Sequence, residues 1–248
     1  MSFSEGCLVA GSADYPDGLR LDWHDHEWGQ LTFCLAGVMR VSSQHAIWLS
    51  PPTRAVWLPA AVQHAIEMKG EVAARFLYLS PELAAPLPTE PVVFEVAPLL
   101  RELILHLLTL RTLHADSPPE ARLADLVVDL LLSAPRTDLA LPLPADRRAR
   151  TLAERLQAEP ADPAPLADLA RASGASLRTL QRLFPAETGL TLEAWRQKAR
   201  LIAAVAALSG GAPVTTTALD CGYESPSAFI AAFKRQFGVT PGRYRPAL

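Results

Sequence analysis

The sequence contains few cysteines and no long hydrophobic run. Only three of its 248 residues are cysteine, namely Cys7, Cys34 and Cys221, and they are far apart and odd in number. This usage argues against a disulfide framework and fits a reducing compartment. No apolar run approaches the roughly 18 residues that a membrane helix needs, and the first residues lack the basic segment and apolar stretch of a secretory signal. We therefore expect a cytoplasmic protein with no membrane partner.

Charge is divided unevenly along the chain. Residues 1–135 hold 8 Lys and Arg against 16 Asp and Glu, a balance of −8, whereas residues 136–248 hold 15 against 10, a balance of +5. An acidic half joined to a basic half indicates separate tasks, and the basic half is the one suited to contact phosphates. A balance of +5 is also unremarkable for a soluble domain, so by itself it carries little weight.

The spacing of apolar residues predicts an α+β protein with two domains. Short apolar runs bounded by Gly, Pro and Ser predict a small β-barrel or sandwich over residues 20–80. A stripe of leucines at helical spacing, Leu99, Leu103, Leu107 and Leu110, and a similar one in the next segment predict a helix pair over 97–114 and 119–134. The proline-rich stretch that follows has no period. The predicted organisation is a barrel over 1–90, a helix pair over 91–135, a linker over 136–146 and an all-α domain over 147–248.

Two segments of the basic half share one design. Ser176 and Ser225 each stand at an expected helix N-cap, after a short helical pattern and a Gly-containing turn, and each precedes apolar residues at helical spacing. Residues 192–208 between them predict one helix of about 25 Å. Such a spacer could place two recognition helices about one DNA turn apart, roughly 34 Å. This design indicates two helix-turn-helix units that read successive major grooves.

The outward face of the first predicted recognition helix carries base-reading groups, namely Arg178, Gln181 and Arg182. Arginine matches the major-groove acceptors of guanine, and glutamine matches adenine. A solvated charged face is the alternative interpretation. Pro185 lies in the same helix and predicts a kink, or the end of the helix, after Phe184.

The outward face of the second predicted recognition helix offers few hydrogen-bond donors. It consists of Ser227, Ile230 and Ala231, with Lys234 and Arg235 one turn later. These residues suit thymine methyl groups, sugars and phosphates more than base edges. We therefore predict unequal units, of which the first specifies sequence and the second mainly positions the protein.

Residues 147–246 resemble the AraC/XylS-type DNA-binding domain. The resemblance rests on Leu169-Ala170, Leu180-Gln-Arg-Leu-Phe184, Glu187-Thr-Gly189, Ala218-Leu-Asp-Cys-Gly-Tyr223, Ser225-Pro-Ser-Ala-Phe229, Phe233, Phe237-Gly238 and Pro241-Gly-Arg-Tyr-Arg245. It implies that Arg178, Gln181 and Arg182 match base-contacting positions of the family's first unit, and that Ser227, Ile230 and Ala231 match those of the second. It also implies that the other half of the chain controls this domain.

The acidic half contains a histidine pattern. His24 and His26 occupy alternate positions, which on a strand face one side, and His64 could arrive from a later strand to complete a metal site. The spacing resembles the two cupin motifs, in which two histidines, a glutamate and a final histidine hold a divalent metal inside a small β-barrel. Gln30 stands in place of the glutamate, and its neutral amide is a weaker ligand than a carboxylate.

Two interpretations of the histidine pattern follow. Three histidines, with Gln30 as a fourth ligand, could bind Zn, Ni or Co; alternatively, they line a pocket for an organic effector or are the remnant of a site. Trp28 and Trp57 could wall an apolar effector pocket, or they pack in the barrel core. The combination of Trp28-Gly-Gln-Leu31 with Pro51-Pro-Thr-Arg-Ala-Val-Trp-Leu-Pro59 further resembles a subgroup of AraC-type regulators that have a short cupin sensor and about 250 residues. That subgroup includes the regulator of nitroimidazole resistance.

The leading hypothesis is a bacterial DNA-binding transcription regulator, not an enzyme, that is controlled by a metal or small-molecule effector in the barrel. Its expected partners are double-stranded DNA, the effector, RNA polymerase and a second copy of the chain. The leucine stripes of the helix pair could form the dimer contact, or they could equally pack onto the barrel. The alternative is a cupin-type metalloenzyme, a dioxygenase or isomerase, fused to a DNA-binding domain. No paired carboxylates and no nucleophile with a neighbouring base accompany the histidines, so the sequence disfavours catalysis.

Overall fold

The computed structural model describes residues 6–244, which divide into two compact units. The first unit comprises the chain up to Ser43 and Trp48–Asp138, and the second comprises Gln44–Ile47 and the chain from Leu139 onward. The division after Asp138 falls inside the predicted linker. No sequence pattern predicted that the short segment Gln44–Ile47 groups with the second unit. Of the helices within residues 6–244, none is long and apolar enough to span a bilayer.

The first unit is rich in β-strands. Its strands are β1 (Leu8–Tyr15), β2 (Arg20–His24), β3 (Gly29–Cys34), β4 (Val38–Ser42), β5 (Ala46–Ser50), β6 (Arg54–Leu58), β7 (His64–Lys69), β8 (Val72–Leu79), β9 (Val92–Glu95) and β10 (Thr112–Leu113). Its helices are α1 (Pro81–Ala84), α2 (Pro98–Leu110) and α3 (Pro118–Ser133). One sheet has the order β10-β1-β8-β3-β6-β9, and the other includes the neighbouring strands β5-β4-β7-β2.

One hydrophobic core joins the first of these sheets to α2 and α3. Leu31 and Leu77 from neighbouring strands and Leu107 and Val127 from the two helices are buried in it. Burying each side chain of this size contributes about 1.5–3 kcal/mol. Because β9 and β10 complete the sheet from beyond residue 90, the predicted barrel boundary at residue 90 is too early.

The buried face of the helix pair differs from the predicted leucine stripe. On α2 the buried residues are Leu100, Leu103, Ile104 and Leu107. Leu99 and Leu110, which fit the same helical spacing, are 59% and 43% exposed. Leucines fill nearly the whole circumference of this helix, so periodicity alone did not identify the side that packs on the sheet.

The second unit is helical except for one short strand. Its elements are β11 (Ala140–Pro142), α4 (Arg147–Ala158), α5 (Leu166–Ala172), α6 (Leu177–Thr188), α7 (Leu192–Ser209), α8 (Val214–Asp220), α9 (Pro226–Phe237) and a 3-10 helix at Pro241–Tyr244. The α+β class with an N-terminal β domain and a C-terminal helical domain is thus confirmed. The predicted linker 136–146 is not free of regular structure, because β11 lies within it. Arg245, the last residue of the predicted family motif, lies outside the described residues.

Aromatic side chains form the core of the helical unit. Phe184 of α6 packs edge-on against Trp195 of α7, with ring centroids 5.4 Å apart, and the indole N–H of Trp195 donates to the carbonyl of Pro142 at 2.6 Å. In the second half, Phe233 contacts Phe229 and Tyr244 with centroids 5.5 Å apart in both pairs. These contacts anchor both predicted recognition helices to the long helix and to the 3-10 helix.

Helix α6 does not end before Pro185. It continues to Thr188 and is terminated by Gly189 in the left-handed conformation, with φ of +71°. Pro185 has no N–H to donate to the carbonyl of Gln181, one turn earlier in the helix. Both residues lie on the exposed face, so this carbonyl is on the solvent side. The predicted helix end was therefore wrong, because the missing hydrogen bond lies where water can replace it.

Candidate functional site

Helix α6 presents the predicted base-reading residues to solvent. Gly174, with φ of +76°, makes the turn after α5, and the hydroxyl of Ser176 accepts a hydrogen bond from the Thr179 N–H at 3.1 Å, which caps the helix. Leu180 and Phe184 are buried. The opposite face is exposed and consists of Arg178, Gln181 and Arg182.

A carboxylate that the sequence did not single out lies beside this face. The side-chain amide of Gln181 donates to Glu193 Oε1 at 3.4 Å. Glu193 stands in the first turn of α7, 12 residues after Gln181, so the contact depends on how the two helices pack. The carboxylate holds the Gln181 amide nitrogen and leaves the amide oxygen for another donor.

Helix α9 repeats the arrangement with different chemistry. The Ser225 hydroxyl accepts a hydrogen bond from the Ala228 N–H at 3.2 Å, and Pro226 occupies the first turn. Phe229 and Phe233 are buried. The exposed residues are Ser227, Ile230, Ala231, Lys234 and Arg235. This face combines a few apolar groups with two cations, as the sequence predicts.

In the first unit, three histidine rings lie together. His24 ends β2 and is the cross-strand partner of His64 at the start of β7, and their ring centroids are 4.3 Å apart. His26 lies 5.2 Å from His64 and 6.2 Å from His24. His26 belongs to the turn after β2, not to the strand, so the expected alternation along a strand is not what brings it close.

The backbone fixes the proton position on each ring. The Nδ1 atoms of His24, His26 and His64 lie 2.7, 2.6 and 2.8 Å from carbonyl oxygens of Asp22, Trp28 and Val62. A carbonyl only accepts, so each Nδ1 donates, and the lone pair of a neutral ring is on Nε2. This arrangement orients the Nε2 atoms for a ligand.

His64 is the most constrained member of the cluster. Its side chain is fully buried, and Nε2 has no hydrogen-bond partner. Burial lowers the pKa of His64 to about 4, because a charged imidazolium is poorly solvated there, and the Val62 carbonyl only partly offsets this effect. An unsatisfied buried nitrogen costs about 1–3 kcal/mol. Such a cost is typical of an atom kept for binding.

Gln30 and Tyr78 occupy the other side of the cluster. His26 Nε2 lies 2.6 Å from Gln30 Oε1, and the Gln30 amide nitrogen lies 3.4 Å from the Tyr78 hydroxyl. His26 Nδ1 already donates to the Trp28 carbonyl, so a neutral ring has no proton on Nε2 to donate to Gln30. The contact between His26 Nε2 and Gln30 therefore requires either a ring protonated on both nitrogens or a Gln30 side chain whose amide nitrogen faces Nε2. Tyr78 was not identified from the sequence, although its hydroxyl in the mostly apolar strand β8 was an available signal.

The histidine cluster is the place where the sequence predicts a metal. Within residues 6–244, no group of three or more His, Cys, Asp or Glu side chains is arranged to hold a metal ion. In this arrangement His26 Nε2 lies against Gln30 Oε1, so one of the three Nε2 atoms is already engaged. The three histidines meet as the sequence predicts, and binding of Zn, Ni or Co stays a prediction.

The two tryptophans assigned to an effector pocket occupy different surroundings. Trp57 belongs to the hydrophobic core, and its indole N–H donates to the carbonyl of Pro88 at 2.9 Å. Its ring leaves no space beside Gly29, where an added Cβ would lie 2.2 Å from the indole. The geometry of Trp57 thus supports the alternative of core packing. Trp28 is buried and contributes its carbonyl to His26.

Comparison with known proteins assigns both halves of the chain. Residues 6–141 match the model of the AraC-like ligand binding domain, and residues 169–247 match a helix-turn-helix domain model. The HTH-type transcriptional regulator NimR of Escherichia coli K12 is 36% identical over 238 residues, which cover 96% of this chain and 85% of NimR. The regulator RipA of Corynebacterium glutamicum is 37% identical over 103 residues, which cover 42% of this chain and 31% of RipA.

Among solved structures, the fatty-acid-bound ToxT of Vibrio cholerae strain SCE256 covers 98% of this chain and 96% of its own, with 11% identity and a TM-score of 0.40. The relatives matched by sequence are transcriptional regulators. The chain belongs to the AraC family of DNA-binding transcription regulators, with an N-terminal ligand-binding domain and a C-terminal helix-turn-helix domain.

Proposed function

We propose that this regulator reads base sequence through α6 and uses α9 mainly to position itself on DNA. The observation that carries the proposal is the division of α6 into a buried apolar face and an exposed face with Arg178, Gln181 and Arg182. Arginine makes the two-pronged contact that distinguishes guanine in the major groove, and the Gln181 amide matches adenine once its nitrogen is released from Glu193.

The chemistry of α9 supports the positioning role. Ile230 is 37% exposed, and its neighbours Ser227 and Ala231 provide one hydroxyl between them. Such a surface suits a thymine methyl group and the sugar edge. Lys234 and Arg235 lie in the last turn of the helix and suit phosphate oxygens.

Selection of bound duplexes from a random DNA library by the full-length protein tests this function. We expect two enriched blocks with centres about 10 base pairs apart, because two recognition helices of one chain enter successive major grooves. The block read by α6 should be the more strongly specified. A library without enrichment after repeated rounds would overturn the proposal.

We further propose that the effector binds at the histidine cluster and is an organic molecule that donates a hydrogen bond to Nε2 of His64. The support is the buried Nε2 atom, which has no hydrogen-bond partner within residues 6–244, together with a side-chain arrangement that holds His26 against Gln30. Elemental mass spectrometry of tag-free protein tests this choice. After reconstitution with Zn, Ni and Co, we expect no stoichiometric metal in the protein. If the protein retains stoichiometric metal, and both His24→Ala and His64→Ala lose it, the effector of this site is a metal and the proposal of an organic effector is wrong.

The exposed leucines of the helix pair support a homodimer. Leu99 and Leu110 of α2 and Leu126 and Leu132 of α3 are all more than one-third exposed, and burying them against a second copy would remove apolar surface from water. Light scattering at micromolar concentration should give twice the mass of the chain, and Leu99→Glu should give a monomer. A strict monomer of the unmodified protein would contradict the proposal.

As a bacterial regulator, the protein is further proposed to act in the cytoplasm and to contact RNA polymerase.

A further inference from the structure

The helical unit contains a cavity that the reading of bases does not use. It has a volume of about 320 Å³ and is lined by Leu166, Glu193, Arg196, Gln197, Arg200 and Tyr223. These residues come from the start of α5, from one face of α7 and from the turn between α8 and α9. The cavity therefore lies where the two helix-turn-helix units meet the helix that joins them.

The two arginines of the cavity are held in place by backbone carbonyls. Arg196 donates from Nη2 to the carbonyl of Asp162, and Arg200 donates from Nε to the carbonyl of Pro160 at 2.7 Å. A guanidinium has five N–H donors, so most donors of both groups are left for other partners. The Nε atom of Arg196 is buried without a hydrogen bond. An added Cβ at Gly222 would lie 2.9 Å from Arg200 Nη2, so the glycine leaves the space for this guanidinium.

Neither cavity arginine forms an ion pair within residues 6–244, and the lining places two guanidinium groups against one carboxylate, that of Glu193. Within residues 6–244, the ion pairs of the helical unit are Arg148–Asp146, Arg155–Asp162 and Arg171–Asp168, and neither cavity arginine takes part. Burial and repulsion from Arg200 both lower the pKa of Arg196, and the Asp162 carboxylate offsets only part of this effect. Glu193 also lines the cavity, but its carboxylate accepts the Gln181 amide.

Tyr223 adds a neutral donor. Its hydroxyl is buried and has no hydrogen-bond partner within residues 6–244. The Gln197 side chain is close enough to lower the pKa of Tyr223. Burial outweighs that effect and raises the pKa of Tyr223, so the hydroxyl keeps its proton. The ring is fixed against Phe229, with centroids 5.3 Å apart.

We propose that this cavity is a phosphate-binding site in which Arg196, Arg200 and Tyr223 contact the phosphate oxygens. Arginine forks match phosphate geometry. Glu193 touches Gln181 of α6, and Tyr223 precedes the Ser225 cap of α9 by two residues, so the site lies between the two reading helices. A backbone phosphate of the DNA between the two bound grooves is the source that this position favours; a free phosphate compound has the same chemistry. The inference rests on the DNA-binding function.

The salt dependence of DNA binding tests the site. The probe is a duplex selected by the full-length wild type, and the variants are Arg196→Gln and Tyr223→Phe, with Arg122→Gln on the exposed surface of α3 as the control for loss of one charge. We expect Arg196→Gln to weaken binding about 3- to 10-fold and to reduce the slope of log K against log salt by about 1. Tyr223→Phe should weaken binding without changing the slope, and base preference should be unchanged in both variants.

Two further measurements distinguish the sources of the phosphate. If the source is DNA, a single methylphosphonate linkage between the two enriched blocks should make wild type and Arg196→Gln bind equally. If the source is a free compound, millimolar inorganic phosphate should raise the melting temperature of the wild type but not of Arg196→Gln. Equal slopes in wild type and Arg196→Gln, with no response to inorganic phosphate, would overturn the site. Failure of the wild type to select any duplex would instead contradict the DNA-reading function.

Discussion

Replacing Arg182 by alanine is expected to reduce discrimination at one base pair of the bound DNA by about 10- to 100-fold. The side chain is exposed on α6, on the face opposite the buried Leu180 and Phe184. A two-pronged arginine contact to guanine contributes about 1–3 kcal/mol of discrimination against the wrong base. The measurement is the affinity for a selected duplex and for the three substituted duplexes at each position of the first block.

Two further variants separate base reading from charge. Lys234→Ala on α9 removes the same charge and should weaken binding evenly across sequences, with a salt slope lower by about 1. Arg182→Lys keeps the charge but loses the fork, so it should restore affinity more than base preference. If Arg182→Ala and Lys234→Ala weaken all duplexes equally, the assignment of sequence reading to α6 is wrong.

Acidification is expected to destabilise the metal-free protein through His64. The pKa of this ring falls from 6.5 to about 4 in the folded state, so between these values the unfolded chain binds more protons than the native chain. The contribution of the neutral His64 ring to the free energy of unfolding is fully present above pH 6.5 and is lost as the pH falls toward 4. The corresponding decrease in the free energy of unfolding is up to about 3 kcal/mol.

The matched control is His64→Asn, whose amide can donate to the Val62 carbonyl in place of Nδ1 but does not titrate. Urea unfolding of both proteins at pH 7, 5.5 and 4, after treatment with chelator, gives the comparison. Carboxylates and the remaining histidines contribute equally to both, so the difference between the two curves reports His64. Parallel curves across this range would show that His64 is solvated or paired in solution.

Much of the fold was predictable from local patterns. Ser176 and Ser225 as caps, the glycines after α5 and α8, and apolar residues at helical spacing each act over a few residues, so the sequence alone determined α6, α7 and α9. The exposed face of α6 follows from the same periodicity, which is why its candidate DNA contacts were predictable. The helix pair was predictable only as two helices, because leucines surround α2.

Other features depend on contacts between distant segments. Glu193 reaches Gln181 only because α6 and α7 pack together, and Tyr78 reaches Gln30 only across paired strands. Whether three histidines form a metal site depends on the direction of each Nε2 atom, which sequence spacing does not specify. In this structure the Nε2 atom of His26 lies against Gln30.

By itself, the sequence determined the family, the two domains, and the helix faces that carry arginine and glutamine, because caps, turns and periodicity are local properties of the chain. Only the tertiary structure decided which atoms of the histidine cluster are left without partners. It also decided that Arg196, Arg200 and Tyr223 line one cavity. These arrangements join segments that are separated in sequence, and their geometry follows from packing of the whole unit rather than from any one motif.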